Sequence, residues 1–204
     1  MSGNALISID IQNDFCPGGA LAVTGGDEII ASVNDMMRHY RAAGDFVILT
    51  QDWHPADHKS FASQHEGHAP FEMVEMPYGA QTLWPDHCVQ GSDGAAFHKD
   101  LATDLAQMII RKGYNRDIDS YSAFFENDQK TPTGLHGFLQ NQNIDKLEMV
   151  GLATDFCVAF SALDAARLGY HVSVRLDACR AIDLNGSLDA QLDAMHQAGI
   201  TLIS

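Results

Sequence analysis

The chain has 204 residues, 46% hydrophobic and 19% charged, a composition that excludes disordered and fibrous classes and fits one folded domain over 1–204. Its 12 Lys+Arg against 27 Asp+Glu leave a formal charge of -15, a field that repels phosphate backbones and anionic lipid and argues against nucleic-acid and membrane partners. No run approaches the roughly 20 apolar residues that span a bilayer, and Met1-Ser-Gly-Asn lacks the basic start of a secretion signal, so a cytoplasmic protein is expected.

In chain order, residues 5–9 read as a first strand. A helix follows, because Ile29, Ile30, Val33, Met36, Met37 and Tyr40 recur on one face and Gly44 stands where a C-terminal glycine belongs. A second strand is expected at 46–50. The stretch from 53 to about 106 is rich in Gly, Pro and His, with only 95–106 looking regular, and a connection that long is usually functional. Strands are then expected at 107–111, 147–152, 171–176 and 200–203. Helices are expected at 133–142, at 154–168 with Thr154 as cap, and at 187–198 opened by Ser187 and closed by Gly199. This alternation predicts an α/β fold with a parallel sheet covered on both faces.

In such sheets the ligand crevice lies beyond the carboxyl ends of the strands. Asp10 follows the first strand, Asp52 the second, Lys112 the third and Cys157 the fourth, so four reactive groups share one rim. The four cysteines, at 16, 88, 157 and 179, are too far apart for a CxxC pair. Cys157 falls in the first turn of a helix, where free amides and the helix dipole favour a thiolate and could hold an oxyanion. A cationic Lys112 would steady that thiolate, and Asp10 could carry its proton to a leaving amine. Each residue alone has a plain structural reading: a buried small side chain, a strand-end lysine, a turn-forming aspartate.

Asp52-Trp-His54 and His87 offer one carboxylate and two imidazoles, a donor set for a divalent metal with positions left open. His58, His65 and His68 are further candidates. Phe15, Trp84 and Tyr121 could wall a flat apolar pocket, although such aromatics are more commonly core. Gly18-Gly19 and Gly25-Gly26 are turn signals without the context of a dinucleotide site.

Asp10-Ile-Gln-Asn-Asp-Phe15, Asp52-Trp-His54, Trp84-Pro-Asp-His-Cys88, Arg111-Lys112-Gly113 and Gly151-Leu-Ala-Thr-Asp-Phe-Cys157-Val resemble, in order and spacing, the nicotinamidase/pyrazinamidase branch of the isochorismatase-like hydrolases. The resemblance implies a three-layer α/β/α fold with a doubly wound six-stranded parallel sheet ordered 3-2-1-4-5-6. It implies Asp10 as proton acceptor and donor, Lys112 as the steadying charge, Cys157 as nucleophile, and the amides of Ala153 and Cys157 as oxyanion hole, with a cis bond between Leu152 and Ala153. It further implies that Asp52, His54 and His87 hold one divalent ion that takes the substrate's ring nitrogen. Zinc is the first expectation, iron or manganese the alternatives, and His58 an open fourth ligand. Phe15 and Trp84 would pack the ring, with Tyr121 beside them. The implied reaction is hydrolysis of nicotinamide or pyrazinamide to the acid and ammonia through a cysteine thioester, in NAD salvage, with self-association left open. The rivals are an amidase for carbamoyl or ureido compounds and a non-catalytic binding module on the same fold.

Overall fold

The computed structural model describes residues 3–204. Met1 and Ser2, part of the segment read for targeting, lie outside the described residues. The elements run β1 (Gly3–Ile9), α1 (Ile30–Ala43), β2 (Phe46–Asp52), β3 (Met73–Met76), β4 (Gly79–Thr82), β5 (Met108–Lys112), α2 (Leu135–Asn141), β6 (Ile144–Leu152), α3 (Ala159–Arg167), β7 (His171–Arg180), α4 (Ser187–Gln197) and β8 (Thr201–Ile203). The large sheet has the order β5-β2-β1-β6-β7-β8, with every neighbouring pair parallel. Counted within that sheet, the order is the expected 3-2-1-4-5-6, and its switch point falls between β1 and β6.

The strands are buried on both faces, as their near-continuous apolar runs require. Ala5, Ile7 and Ile9 of β1 face a core filled by Leu139 of α2, Ala162 of α3 and Met195 of α4. Leu6, between them, faces a second core with Val33 and Met37 of α1 and with Trp84, Cys88 and Leu101 of the long connection. Each Ile, Leu, Val or Met among them contributes about 1.5–3 kcal/mol by leaving water. Gly44 closes α1 in the left-handed region at φ 83°, its N–H on the carbonyls of Tyr40 and Arg41.

Several boundaries differ from the sequence expectation. β2 and β5 each run further and pair Asp52 with Lys112 as register partners, so both residues end strands rather than follow them. β7 continues to Arg180 through an irregularity: Met149 pairs with Val174 but Gly151 with Cys179. The residues that the β6–β7 pairing skips include Arg175, which still pairs with Ile203 of β8, and Asp177; their side chains bond each other at 2.9 and 3.0 Å. Thr154 does not cap a helix. The chain makes one π turn over Thr154–Val158 before α3, and the carbonyl of Ala153 serves its N–H groups from Phe156 and Val158, both at 3.1 Å. Ser187 does not cap α4 either: Gly186 holds that position, and the Ser187 hydroxyl donates to Asp155 at 2.5 Å. Residues 95–106 hold a 3-10 turn, Thr103–Leu105, and an isolated antiparallel bridge from Phe97 to Gln12 rather than a helix, while the long connection forms the antiparallel hairpin β3–β4.

Candidate active site

Strand register assembles the site. Because Asp52 and Lys112 are partners on adjacent strands, their side chains leave the sheet on the same face at its carboxyl edge. Lys112 is fully buried, an arrangement tolerated only with compensating partners. Its Nζ lies 2.9 Å from Asp10 Oδ2 and 2.5 Å from Asp52 Oδ1, donates to the Ser120 carbonyl at 2.9 Å, and reaches Cys157 Sγ at 3.4 Å. Asp10, Asp52 and Cys157 present atoms within 4.8 Å of one another. Asp10 sits just past β1 at φ 49°, and Thr50 fixes its carboxylate: the Thr50 hydroxyl donates to Oδ1 at 2.5 Å and accepts the Asp10 N–H at 3.1 Å.

Charge follows from this packing. Burial alone would lower the Lys112 pKa, but Asp10 and Asp52 reverse it and hold the ammonium well above its usual range. Burial raises Asp10, only partly offset by Lys112. Burial also pushes the Cys157 thiol well up; Lys112 pulls it back, and Asp10 and Asp52 push it further. Burial and the two carboxylates thus favour the neutral thiol, and Lys112 opposes them. Asp10, a carboxylate with a raised pKa, stands beside the thiol, within reach of its proton.

Next to this set, Asp52, His54 and His87 bring ligand atoms within 4.8 Å. His54 Nδ1 lies 2.8 Å from the Gly113 carbonyl and His87 Nδ1 2.8 Å from that of Pro85. A carbonyl only accepts, so both Nδ1 atoms carry the proton and both Nε2 lone pairs are free. Those Nε2 atoms face Asp52 Oδ2 at 3.4 and 3.7 Å, and His54 Nε2 is buried with no hydrogen-bond partner. Burial lowers the His54 pKa, but the Asp52 carboxylate outweighs it and raises it overall. These residues fit a divalent ion. Gly113 makes room for them: at φ 67° it sits where a Cβ would run into the His54 ring.

His58 packs on the His54 ring at 4.4 Å between centroids, and its Nδ1 accepts the Ser60 N–H at 3.3 Å. That leaves its Nε2–H directed at the Ile118 carbonyl, 3.4 Å away. His65 and His68 lie apart, on the Lys59 carbonyl and on exposed Glu72.

Above both groups is a cleft of about 330 Å³ lined by Phe15, Leu21, Asp52, Trp84, His87, Asp119, Tyr121, Ala153, Phe156, Cys157 and Ile182. The structure thus brings the three expected aromatics, Ala153 and Cys157 to one cleft. Trp84 donates its indole N–H to the Tyr121 hydroxyl at 3.1 Å and meets the Phe156 ring edge-on at 4.9 Å. The Leu152–Ala153 bond is cis. Sequence reading missed Leu21, Asp119, Phe156 and Ile182. Phe156 lay inside a quoted motif, but nothing local marks the other three. A larger, more open depression of about 870 Å³, among Tyr40, Lys146, Glu148 and Tyr170, holds none of the reactive groups.

A buried Asp, Lys and Cys at the switch point of a doubly wound sheet, floored under an aromatic cleft, define a cysteine hydrolase. The chain belongs to the isochorismatase domain family, which matches residues 4–204. It is 51% identical over 200 residues, 98% of this chain and 92% of the relative, to a nicotinamidase of Acinetobacter baylyi. It superimposes on a nicotinamidase/pyrazinamidase of Acinetobacter baumanii with a TM-score of 0.96 at 50% identity, covering 100% of this chain and 97% of the other. A pyrazinamidase of Pyrococcus horikoshii, solved in complex with zinc, superimposes with a TM-score of 0.79 at 34% identity over 98% of each chain.

Proposed function

We propose that this single-domain protein is a nicotinamidase, hydrolysing nicotinamide, and pyrazinamide with it, to the acid and ammonia in cytoplasmic NAD salvage. The observation that carries this reading is Lys112 Nζ held between Asp10 and Asp52 with Cys157 Sγ 3.4 Å away, at the floor of an aromatic cleft. Relatives called nicotinamidases, covered over 92% and 97% of their own chains, support the substrate.

Asp10 takes the thiol proton as Cys157 attacks the carboxamide carbon, and Lys112 balances the charge on the sulfur as it forms. The amides of Ala153 and Cys157 hold the tetrahedral oxygen. Asp10 then returns the proton to nitrogen, the C–N bond breaks and ammonia leaves, which gives the thioester. Asp10 next deprotonates water, which attacks the thioester carbon; the C–S bond breaks, the acid forms, and the proton returns to sulfur. Phe15 and Trp84, with Tyr121, sandwich the flat ring and exclude bulk water. Asp52, His54 and His87 would hold a divalent ion, zinc by the Pyrococcus example, and when bound it would supply Lewis acidity toward the ring nitrogen.

Ammonia release from nicotinamide by the purified protein is the test. The expected result is turnover that Cys157→Ala abolishes. Release of ammonia from a ureido compound in preference to both pyridine and pyrazine amides would instead assign the site to the rival amidase class.

A further inference from the structure

Within Asp10-Ile-Gln-Asn-Asp-Phe15 stands a glutamine for which the reaction has no use. Gln12 is fully buried, three residues beyond the end of β1. Where β1 stops pairing, its side-chain amide continues the ladder for β2. Oε1 accepts the Asp52 N–H at 2.8 Å, and Nε2 donates to the Asp52 carbonyl at 2.8 Å. The same Nε2 donates to the Ala95 carbonyl at 2.9 Å and lies 3.4 Å from Cys88 Sγ, next to His87. A single amide thus holds both main-chain polar groups of one residue, which fixes the direction of that residue's Cα–Cβ bond.

That direction matters at Asp52 because its two oxygens have different tasks. Oδ1 lies 2.5 Å from Lys112 Nζ, while Oδ2 faces His54 Nε2 at 3.4 Å and His87 Nε2 at 3.7 Å. A small rotation of the strand end would serve one task at the expense of the other. We propose that Gln12 is a positioning residue: by clamping the Asp52 peptide groups it lets one carboxylate serve both the lysine of the cysteine site and the divalent ion. This rests on the reading of Asp52, His54 and His87 as the metal-holding set. Gln12 itself touches neither ion nor substrate.

The structure supplies its own control. Gln51 Nε2 also donates to the Ala95 carbonyl at 2.9 Å, and its Oε1 accepts from Arg111 at 3.0 Å, so its side chain docks the same loop with no hydrogen bond to Asp52. The test compares Gln12→Met, Gln51→Met and His54→Ala for zinc affinity by chelator competition, for kcat and KM on nicotinamide, and for the visible spectrum of the cobalt-loaded form. Gln12→Met should weaken zinc on the order of 10–100-fold, the usual cost of losing a partner that orients a ligand. It should also lower kcat and alter the cobalt bands, whereas Gln51→Met should leave all three unchanged. Wild-type zinc affinity in Gln12→Met, or an equal loss in Gln51→Met, overturns the proposal. If Gln12→Met fails to fold, Gln12→Glu, which keeps the size and the acceptor but loses the donor, must show the same selective loss or the proposal falls. Undiminished zinc binding by His54→Ala would overturn the metal site itself, a failure distinct from that of Gln12.

Discussion

Lys112 is the residue on which the site turns, since a fully buried ammonium persists only while both Asp10 and Asp52 face it. Lys112→Ala should therefore abolish turnover and also destabilise the fold by about 3–5 kcal/mol, because it leaves two buried carboxylates uncompensated. Cys157→Ala should be equally inactive yet melt near wild type, one small side chain having replaced another. Groups that act as one unit give non-additive losses, so the double variant Asp10→Ala/Cys157→Ala should be no slower than the worse single. Appreciable turnover in any single variant would contradict the shared role. The pH dependence carries a sign as well. Asp10 must be ionised to accept the thiol proton, and burial raises its pKa, so activity is present above that pKa and lost as pH falls through it. The acid limb of kcat/KM should consequently lie above the ordinary carboxylate range. A limb at or below the usual aspartate value would assign the proton to another group.

At the scale of elements, the parallel register of β2 and β5 and the turn after Lys112 bring the two halves of the site together. Gly113→Ala tests that turn: a left-handed conformation costs an L-residue about 1–2 kcal/mol, and the added methyl meets the His54 ring. The expected outcome is a lower Tm together with substoichiometric zinc by elemental analysis; full zinc content would show that the turn does not set His54. Asp10, Asp52, Lys112 and Cys157 were legible in the sequence because apolar runs end at or just before each of them, and the crevice rule then places them on one rim. The order of the sheet was legible through the resemblance alone. Other features left no local signal. The π turn over Thr154–Val158 has the composition of an ordinary helix start, and the Asp155 that anchors Ile182, Asp183 and Ser187 acts across 27 residues and more. Asp119 and Ile182 enter the cleft from segments whose sequence gives only loops, placed by long-range hydrogen bonds such as that from Gln81 to Asp119 at 2.7 Å.

At the scale of the whole molecule, the Cys157 sulfur and the Asp52, His54 and His87 set are fixed relative to each other, and under the proposed function the span between them would be a ruler for the substrate. Nicotinamide and pyrazinamide both carry a ring nitrogen in the required relation to the carboxamide, whereas benzamide carries none. Misorientation alone can cost on the order of a hundredfold in rate, so kcat/KM for benzamide should fall by at least that order at fixed pH and metal. Benzamide hydrolysed as well as nicotinamide would refute the ruler. Among the described residues no helix is long and apolar enough to cross a membrane. By the proposed route the carboxamide carbon passes through a covalent bond to Cys157. Rapid acid quench of the enzyme turning over carbonyl-labelled nicotinamide, followed by peptide mapping, tests this directly. The predicted result is label on the peptide that contains Cys157, in a bond cleaved by hydroxylamine. Undiminished ammonia release with no label on that peptide would contradict it.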